Sequence, residues 1–327
     1  MNIERKMDNN IISKRRGRRG RVFLILLLII CLLIGALLID SNTRIVTTEY
    51  ELRYRNLPAG FDGYRIAVLS DVHASQYGED NERLLSMVCA AQPDIIAITG
   101  DLIDGYSKPP VEDQIEIALT LASGLVKLAP VYYITGNHDW NSGAVRQMIP
   151  LLEECGVTVL RNKYTKLISG GDTVILAGTD DPNGPADMIK PDELVGKIRA
   201  AERSDNFIIM LEHRNNNLRL YSEIGVNLVL SGHAHGGVIR LPFTDGLFGP
   251  QRDLFPTYTS GVYTMGDTNL VVSRGVGNHT GLPRFLNNPE IVVVTLKLDS
   301  YKPSANLPVI GMKPSEARSF RRGRATQ

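Results

Sequence analysis

The sequence predicts an α/β protein in which two sheets pack face to face between helices, a four-layer αββα sandwich, preceded by one membrane-spanning helix. Three observations predict it. Short apolar runs alternate with segments of helical spacing through the first two thirds of the 327 residues. The last third changes to strand-like runs joined by Gly- and Pro-rich loops. Residues 22–39 (VFLILLLIICLLIGALLI) carry no charge at all.

That uncharged run follows Lys14-Arg15-Arg16-Gly17-Arg18-Arg19-Gly20-Arg21. As a helix rising 1.5 Å per residue it spans about 27 Å, close to the roughly 30 Å of a hydrocarbon core. The arginines before it place the N-terminus and residues 1–21 in the cytoplasm and everything after Asp40 on the other, extracytoplasmic face. A buried core helix would not be apolar on all sides. A cleaved signal peptide competes, but the run exceeds the usual apolar length of roughly 7 to 15 residues and no A-x-A site follows. Arg18-Arg19-Gly20-Arg21-Val22-Phe23-Leu24 is also similar to a twin-arginine export signal, with the apolar residues displaced by one position. An uncleaved, single-pass signal anchor in the cell membrane is the expectation.

Residues 40–59 read as a stalk and lead-in. Within 60–300, the runs 64–69, 94–98, 131–134, 174–177, 207–211 and 227–230 read as buried strands. Between them 81–91, 113–128, 144–155 and 191–201 have helical spacing; in the second, Ile115, Ala118, Leu121, Leu125 and Leu128 recur at three- or four-residue steps. Strand, crossover helix, strand is an α/β plan. Residues 238–242, 270–273 and 291–298 are further strands, and their loop connections point to a second, more antiparallel sheet. Residues 301–327 lack periodicity and read as a basic, disordered tail.

A chain that is 43% hydrophobic and 22% charged is an ordinary globular protein, so its net charge of +1 needs a closer reading. Residues 1–21 hold +6 and residues 313–327 hold +4, which leaves −9 on the body between them. An acidic body argues against a nucleic-acid groove, and no nucleic acid is expected as a partner. Bound divalent cations would offset part of that charge and attract phosphate. Cys31, Cys89 and Cys155 form no CxxC pair and are expected as buried, reduced thiols.

Five of the six histidines fall in four short strings: Ser70-Asp71-Val72-His73, Gly136-Asn137-His138-Asp139, Glu212-His213-Arg214 and Gly232-His233-Ala234-His235. Asp101 adds a carboxylate in Gly100-Asp101-Leu102-Ile103-Asp104. Neutral imidazole, carboxylate and side-chain carbonyl form the mixed N/O set of a borderline divalent metal. Each string follows an apolar strand, and the carboxyl ends of strands in an open α/β sheet form the ligand crevice, so residues distant in sequence converge there. The i, i+2 spacings of Asp71 with His73 and of His233 with His235 would put both side chains on one face of an extended segment. The glycines at 100, 136 and 232 are expected to let the backbone turn beside an ion.

DVH, GDLID, GNHD, EH and GHAH occur in the order and approximate spacing of the calcineurin-like metallophosphoesterases, which this chain resembles over about residues 60–300. SGHAHGGVIRLPF, FP-x-Y, Ser273-Arg274-Gly275 and Asn288-Pro289-Glu290-Ile291 are similar to that family's bacterial membrane-anchored branch. The resemblance implies two divalent metal ions, Mn, Fe or Zn. One would be held by Asp71, His73 and His235, the other by Asn137, His213 and His233, with Asp101 bridging. It implies in-line attack on phosphorus by a hydroxide shared between the ions. It places His138 to stabilise the transition state or protonate the leaving oxygen, with Asp139 orienting it.

Other residues keep two readings. Asp104 caps a turn or takes part in catalysis. Glu212, where the family often has Ser or Ala, is a hydrogen-bond acceptor for His213 or a solvated charge. Arg274 binds phosphate or an ion-pair partner, and Trp140 walls the pocket or fills the core. Asp180-Asp181-Pro182 reads as a turn rather than a third ion site. His279 reads as a surface-loop residue. The expected function is a membrane-anchored phosphoesterase of phosphodiesterase or pyrophosphatase type. Its substrates would be lipid-linked or cell-envelope phosphoesters such as UDP-diacylglucosamine-like glycolipids, with the bilayer as partner. The alternative is a catalytically silent binding or scaffold module on the same fold.

Overall fold

The computed structural model describes residues 2–105, 109–185, 189–250, 253–277 and 281–299, with side chains from residue 20 onward. The tail at 301–327 and His279 lie outside the described residues. The first element, α1, is one helix over Asn2–Thr43, and its part Gly20–Thr43 is long and apolar enough to cross a membrane. The chain then enters the sandwich within three residues.

The strands are β1 Val46–Tyr54, β2 Arg65–Leu69, β3 Ile95–Thr99, β4 Val131–Ile134, β5 Thr158–Val159 and β6 Lys163–Ser169, followed by β7 Asp172–Gly178, β8 Ile208–Leu211, β9 Leu228–Ser231, β10 Gly261–Met265, β11 Thr268–Val272 and β12 Glu290–Leu298. The helices after α1 are α2 Glu82–Ala90, α3 Val111–Leu125, α4 Asn137–Asn141, α5 Val145–Glu154, α6 Pro191–Ala201 and α7 Leu218–Glu223. They build two six-stranded sheets, ordered β1-β12-β2-β3-β4-β5 and β10-β11-β9-β8-β7-β6.

Side-chain alternation explains why the central strands are apolar throughout. In β2, Ile66 and Val68 enter the layer between the sheets, where they join Leu176, Ile209 and Val292. Ala67 and Leu69 face the other way, onto Leu84, Val88 and Leu121 of α2 and α3. The second sheet does the same, with Ile208 and Met210 packed on Leu194, Ile198 and Tyr221 of α6 and α7. A strand covered on both faces has no solvent side to carry polar residues.

Three expectations change. Residues 46–54, expected as stalk and lead-in, form β1, paired in parallel with all nine residues of β12. This edge strand alternates buried Tyr54 and Leu52 with exposed Arg53 and Glu51, a period-two pattern that a search for continuous apolar runs overlooks. The last third does not make a sheet of its own. β12 inserts into the first sheet beside β2, antiparallel to it, while β10 and β11 complete the second, and both sheets keep parallel centres. Residues 238–242 form only single bridges, Ile239 with Phe285 and Arg240 with Gly246. Gly236, Gly237 and Val238 all have positive φ, which turns the chain off any sheet, and Pro242 lacks an N–H.

The cysteines also differ from expectation: Cys31 and Cys89 are exposed and Cys155 is half-buried. Cys31 lies on the outward-facing α1, and Cys89 is on the solvent side of α2.

Candidate metal centre

The loops after β2, β3, β4, β8 and β9 deliver all seven expected ligands to one point between the two sheets. Asp71, His73 and His235 each offer a ligand atom within 4.8 Å of the others, and so do Asp101, His213 and His233. Their backbone is unusual. Asp71, His73, Asp101, His233 and His235 all have positive φ, between 47° and 68°. Non-glycine residues rarely adopt this region, and such strain gathers where a surrounding structure over-determines a functional site. The expected extended i, i+2 geometry is therefore replaced by tight left-handed turns.

Glycines permit the crowding, for two different reasons. Gly100 has φ 91°, as expected of a turn. Gly232 needs space instead, because a Cβ there would collide with Ser70 Oγ and Asp71 Oδ2. Gly136 is likewise pressed against Asp101 Oδ1, with an ordinary φ of −111°.

His213 is the clearest member of the cluster. Its Nδ1–H donates to the Thr99 carbonyl oxygen at 2.8 Å, which leaves Nε2 facing inward. Around that nitrogen stand Asn137 Oδ1 at 3.0 Å, His233 Nδ1 at 3.1 Å and Asp101 Oδ2 at 3.1 Å. Two acceptor oxygens and two ring nitrogens cannot all be satisfied by one proton. Asp101 Oδ2 is buried and accepts no hydrogen bond of good geometry, although His73 Nε2 also lies 3.9 Å from it. On the other side, His73 Nε2 and His235 Nε2 face each other at 3.3 Å, and Asp71 Oδ1 is 3.4 Å from His235 Nε2. The donor set fits divalent cations, with Asp101 between two groups of ligands.

The field agrees with the geometry. Burial works against a charge on His213, yet the carboxylates of Asp101, Asp71 and Asp181 outweigh it and push its pKa up to about 10. Burial, with the neighbouring His213, holds His233 well below its ordinary value. Burial raises Asp71, helped by the charge of Asp101. The carboxylates thus favour a positive charge at this dry point, which a proton on His213 or a divalent cation would supply.

His138 lines the adjoining cavity of about 590 Å³ together with Asp101, Asn137, His233 and His235. Its backbone N–H donates to Asp101 Oδ1 at 2.7 Å, and its Nδ1 lies 3.0 Å from Asp104 Oδ1. A ring nitrogen carries one proton, so the orienting bond at Nδ1 belongs to Asp104 rather than to Asp139. Asp104 is held in turn by Gln114 Oε1, which accepts its backbone N–H at 2.7 Å from the first turn of α3. Asp139 has another task. Its carboxylate accepts the backbone N–H groups of Asp101, Leu102, Ile103 and Gly136 at 2.8 to 3.1 Å, bracing the turn that presents Asp101. Only a contact map distinguishes these two aspartates, since both stand near a motif histidine or aspartate in sequence.

Glu212 is buried rather than solvated, and its Oε1 accepts from Asn217 Nδ2 at 2.7 Å, while His213 Nδ1 has Thr99. Arg274 is an ion-pair partner, with Glu290 Oε2 at 2.6 Å. Asp181 pairs with Arg214 at 2.8 Å, and Asp180 with Arg161 at 2.7 Å. Trp140 Nε1 donates to Thr135 and Asp180, and its ring carries the Arg161 guanidinium 4.8 Å from its centroid. The residue that sequence reasoning missed is Arg284. It is a fully buried guanidinium whose Nη2 lies 3.4 Å from His235 Nδ1 and donates to the carbonyls of Arg274 and Gly277. A lone Arg in a Leu-Pro-Arg-Phe loop carries no signal of this in sequence.

A four-layer α/β sandwich with a clustered His/Asp/Asn centre at its strand ends defines a metal-dependent phosphoester hydrolase. The sequence profile of the calcineurin-like phosphoesterases matches residues 64–237, more than half the chain, and the chain belongs to that family. It is 35% identical over 258 residues to the uncharacterized metallophosphoesterase YkuE of Bacillus subtilis, covering 77% of this chain and 86% of that one. It is 30% identical over 264 residues to a transmembrane protein with metallophosphoesterase domain from Danio rerio, covering 76% of this chain and 56% of that one. Phosphodiesterase YaeI of Escherichia coli is 27% identical over 242 residues, which cover 71% of this chain and 82% of that one.

Proposed function

We propose that this chain is a membrane-anchored phosphodiesterase that holds two divalent ions, one on Asp71, His73 and His235, the other on Asn137, His213 and His233, with Asp101 shared. The observation that carries the reading is the convergence of Asn137 Oδ1, His233 Nδ1 and Asp101 Oδ2 within 3.1 Å of the inward-facing Nε2 of His213. When bound, the ions supply Lewis acidity toward the phosphoryl oxygens and lower the pKa of water.

The chain's own residues do the rest. Asp139 fixes the Asp101 turn through four backbone N–H groups. Asp104 holds the Nδ1 proton of His138, so that protonated His138 presents its other ring nitrogen to the cavity and hands a proton to the departing oxygen. Phe248, Pro250 and Leu282 give the rest of that cavity an apolar lining.

Diester rather than monoester chemistry is supported by two facts. The cavity of about 590 Å³ is larger than a phosphoryl group alone, and one relative bears the name phosphodiesterase. Anchoring by α1, N-terminus inside, favours lipid-linked or cell-envelope phosphodiesters over soluble phosphoproteins. The test is hydrolysis of bis-p-nitrophenyl phosphate against p-nitrophenyl phosphate by the full chain, reconstituted in turn with Mn²⁺, Fe²⁺ and Zn²⁺. Faster turnover of the diester is expected; monoester preference overturns the reading. A reporter fused after Gln327 that is active only inside the cytoplasm would overturn the orientation.

A further inference from the structure

The helix that would cross the membrane is fastened to the domain beside the metal centre, with no flexible linker between. Asn42, in the last turn of α1, exchanges two hydrogen bonds with Arg284: its Nδ2 donates to the Arg284 carbonyl at 2.8 Å, and its Oδ1 accepts the Arg284 N–H at 3.0 Å. Asn288 Nδ2 donates to the carbonyls of Asp40 and Arg44 at 2.8 and 3.1 Å. Ser41 is buried, and Ile45 belongs to the domain core. Arg284 itself reaches His235 on its other side.

Two loops radiate from this joint, and both carry exposed apolar side chains. Leu282 precedes Arg284 by two residues and is 47% exposed while lining the cavity. The Arg240 N–H donates to the Phe285 carbonyl at 2.9 Å, and the exposed Leu241 and Phe243 follow directly. Leu247 donates to the Ile239 carbonyl and accepts from the Phe255 N–H, which brings in Leu254 and Phe255, both more than 60% exposed. Leu282 lies two residues from Arg284, and Leu241 and Phe243 lie one and three residues from Arg240, a reach of at most about 11 Å from this joint, while Leu254 and Phe255 are tied to the same loop through Leu247. The same two loops supply Phe248, Gly249, Pro250 and Leu282 to the cavity wall.

Resting on the reading of α1 as a membrane anchor, we propose that Leu241, Phe243, Leu254, Phe255 and Leu282 form a rim seated in the leaflet into which the C-terminal end of α1 emerges. The metal cavity then opens at headgroup level, and its substrates are phosphodiesters presented by the bilayer surface. The partner is the lipid bilayer because the rim is continuous with the apolar helix through Asn42 and Arg284. An apolar loop cluster beside a membrane helix buries its side chains at the headgroup–acyl boundary.

The experiment uses the full chain in vesicles of phosphatidylcholine and phosphatidylglycerol, with phosphatidylcholine either plain or brominated on its acyl chains. Phe243→Trp is compared with Ile168→Trp, a control at an exposed apolar site on β6, with Trp140 as common background. Brominated lipid is expected to quench the emission added by Phe243→Trp about twofold and to leave that of Ile168→Trp unchanged. Equal quenching of both, or quenching of neither, in protein that floats with the vesicles overturns the rim and leaves the anchor standing. Failure of both variants to float with vesicles overturns anchor and rim together. Neither readout involves turnover, so a failed phosphodiesterase assignment is seen separately.

Discussion

Asp104 Oδ1 lies 3.0 Å from His138 Nδ1, which makes the second aspartate of GDLID, rather than the aspartate next to His138, the partner of the ring. Burial works against a charge on His138, but the Asp104 hydrogen bond and the charges of Asp101, Asp104 and Asp71 outweigh it and raise its pKa above the ordinary value. A general acid must be protonated, so activity falls as pH rises through that pKa. Asp104→Asn keeps an acceptor for Nδ1–H but removes the charge. Its kcat is expected to drop about tenfold or more, with the alkaline limb of the pH profile moved to lower pH. An unmoved alkaline limb in kcat would show that His138 does not act as the acid.

Asp101 Oδ2 faces His213 Nε2 at 3.1 Å and His73 Nε2 at 3.9 Å, so under the proposed two-ion reading its loss is felt by both ligand groups. Metal content measured by mass spectrometry is expected to fall from two ions per chain to fewer than one in Asp101→Ala. Chelation of the wild type should lower its thermal midpoint, because ligand at about a hundred times its Kd stabilises a fold by about 2.7 kcal/mol. A midpoint indifferent to chelator would contradict a preformed metal site.

Asp139 accepts four buried N–H groups, and Asp139→Ala would leave all four without a partner. An unsatisfied buried donor costs about 1–3 kcal/mol, and partial relaxation sets the expected total near 3 kcal/mol or more. Denaturant unfolding checks this. Asp139→Asn should be nearly as destabilised, since an amide presents its NH₂ to two of those donors. A loss of activity at full stability would instead return Asp139 to a direct role in the reaction.

Burial raises Glu212 to about 7, with the hydrogen bond from Asn217 opposing only in part. The folded protein therefore holds this proton more tightly than the unfolded chain, whose carboxyl has its ordinary value of 4.5. The favourable contribution is complete below about pH 4.5 and is lost as pH rises through about 7. Glu212→Gln carries no such titration. Relative to wild type it is expected to gain up to about 3 kcal/mol of stability between acid pH and about pH 8. Parallel urea titrations at the two pH values measure the difference, and a constant offset would argue against a buried protonated carboxyl.

Much of the sandwich is legible in the sequence. β4 over Val131–Ile134 and α6 over Pro191–Ala201 coincide with their expected ranges, because doubly covered strands are continuously apolar and an amphipathic helix repeats every three to four residues. β1 was not legible by the same test, since an edge strand with one solvated face never forms an apolar run. The pairing of β12 between β1 and β2 was not legible either, as sheet order depends on contacts more than two hundred residues apart.

The amino-acid sequence alone determined the reaction class. Side-chain chemistry dictates what can grip a cation, and the histidine, aspartate and asparagine strings carry that chemistry wherever they are placed. Tertiary structure decided the division of labour: Asp104 against His138, Asp139 under the Asp101 turn, Arg284 behind His235, Asn42 locking α1 to the loop beside the cavity. These are contacts between side chains and distant backbone, set by how two sheets and their loops close on each other. Spacing along a chain fixes only local neighbours.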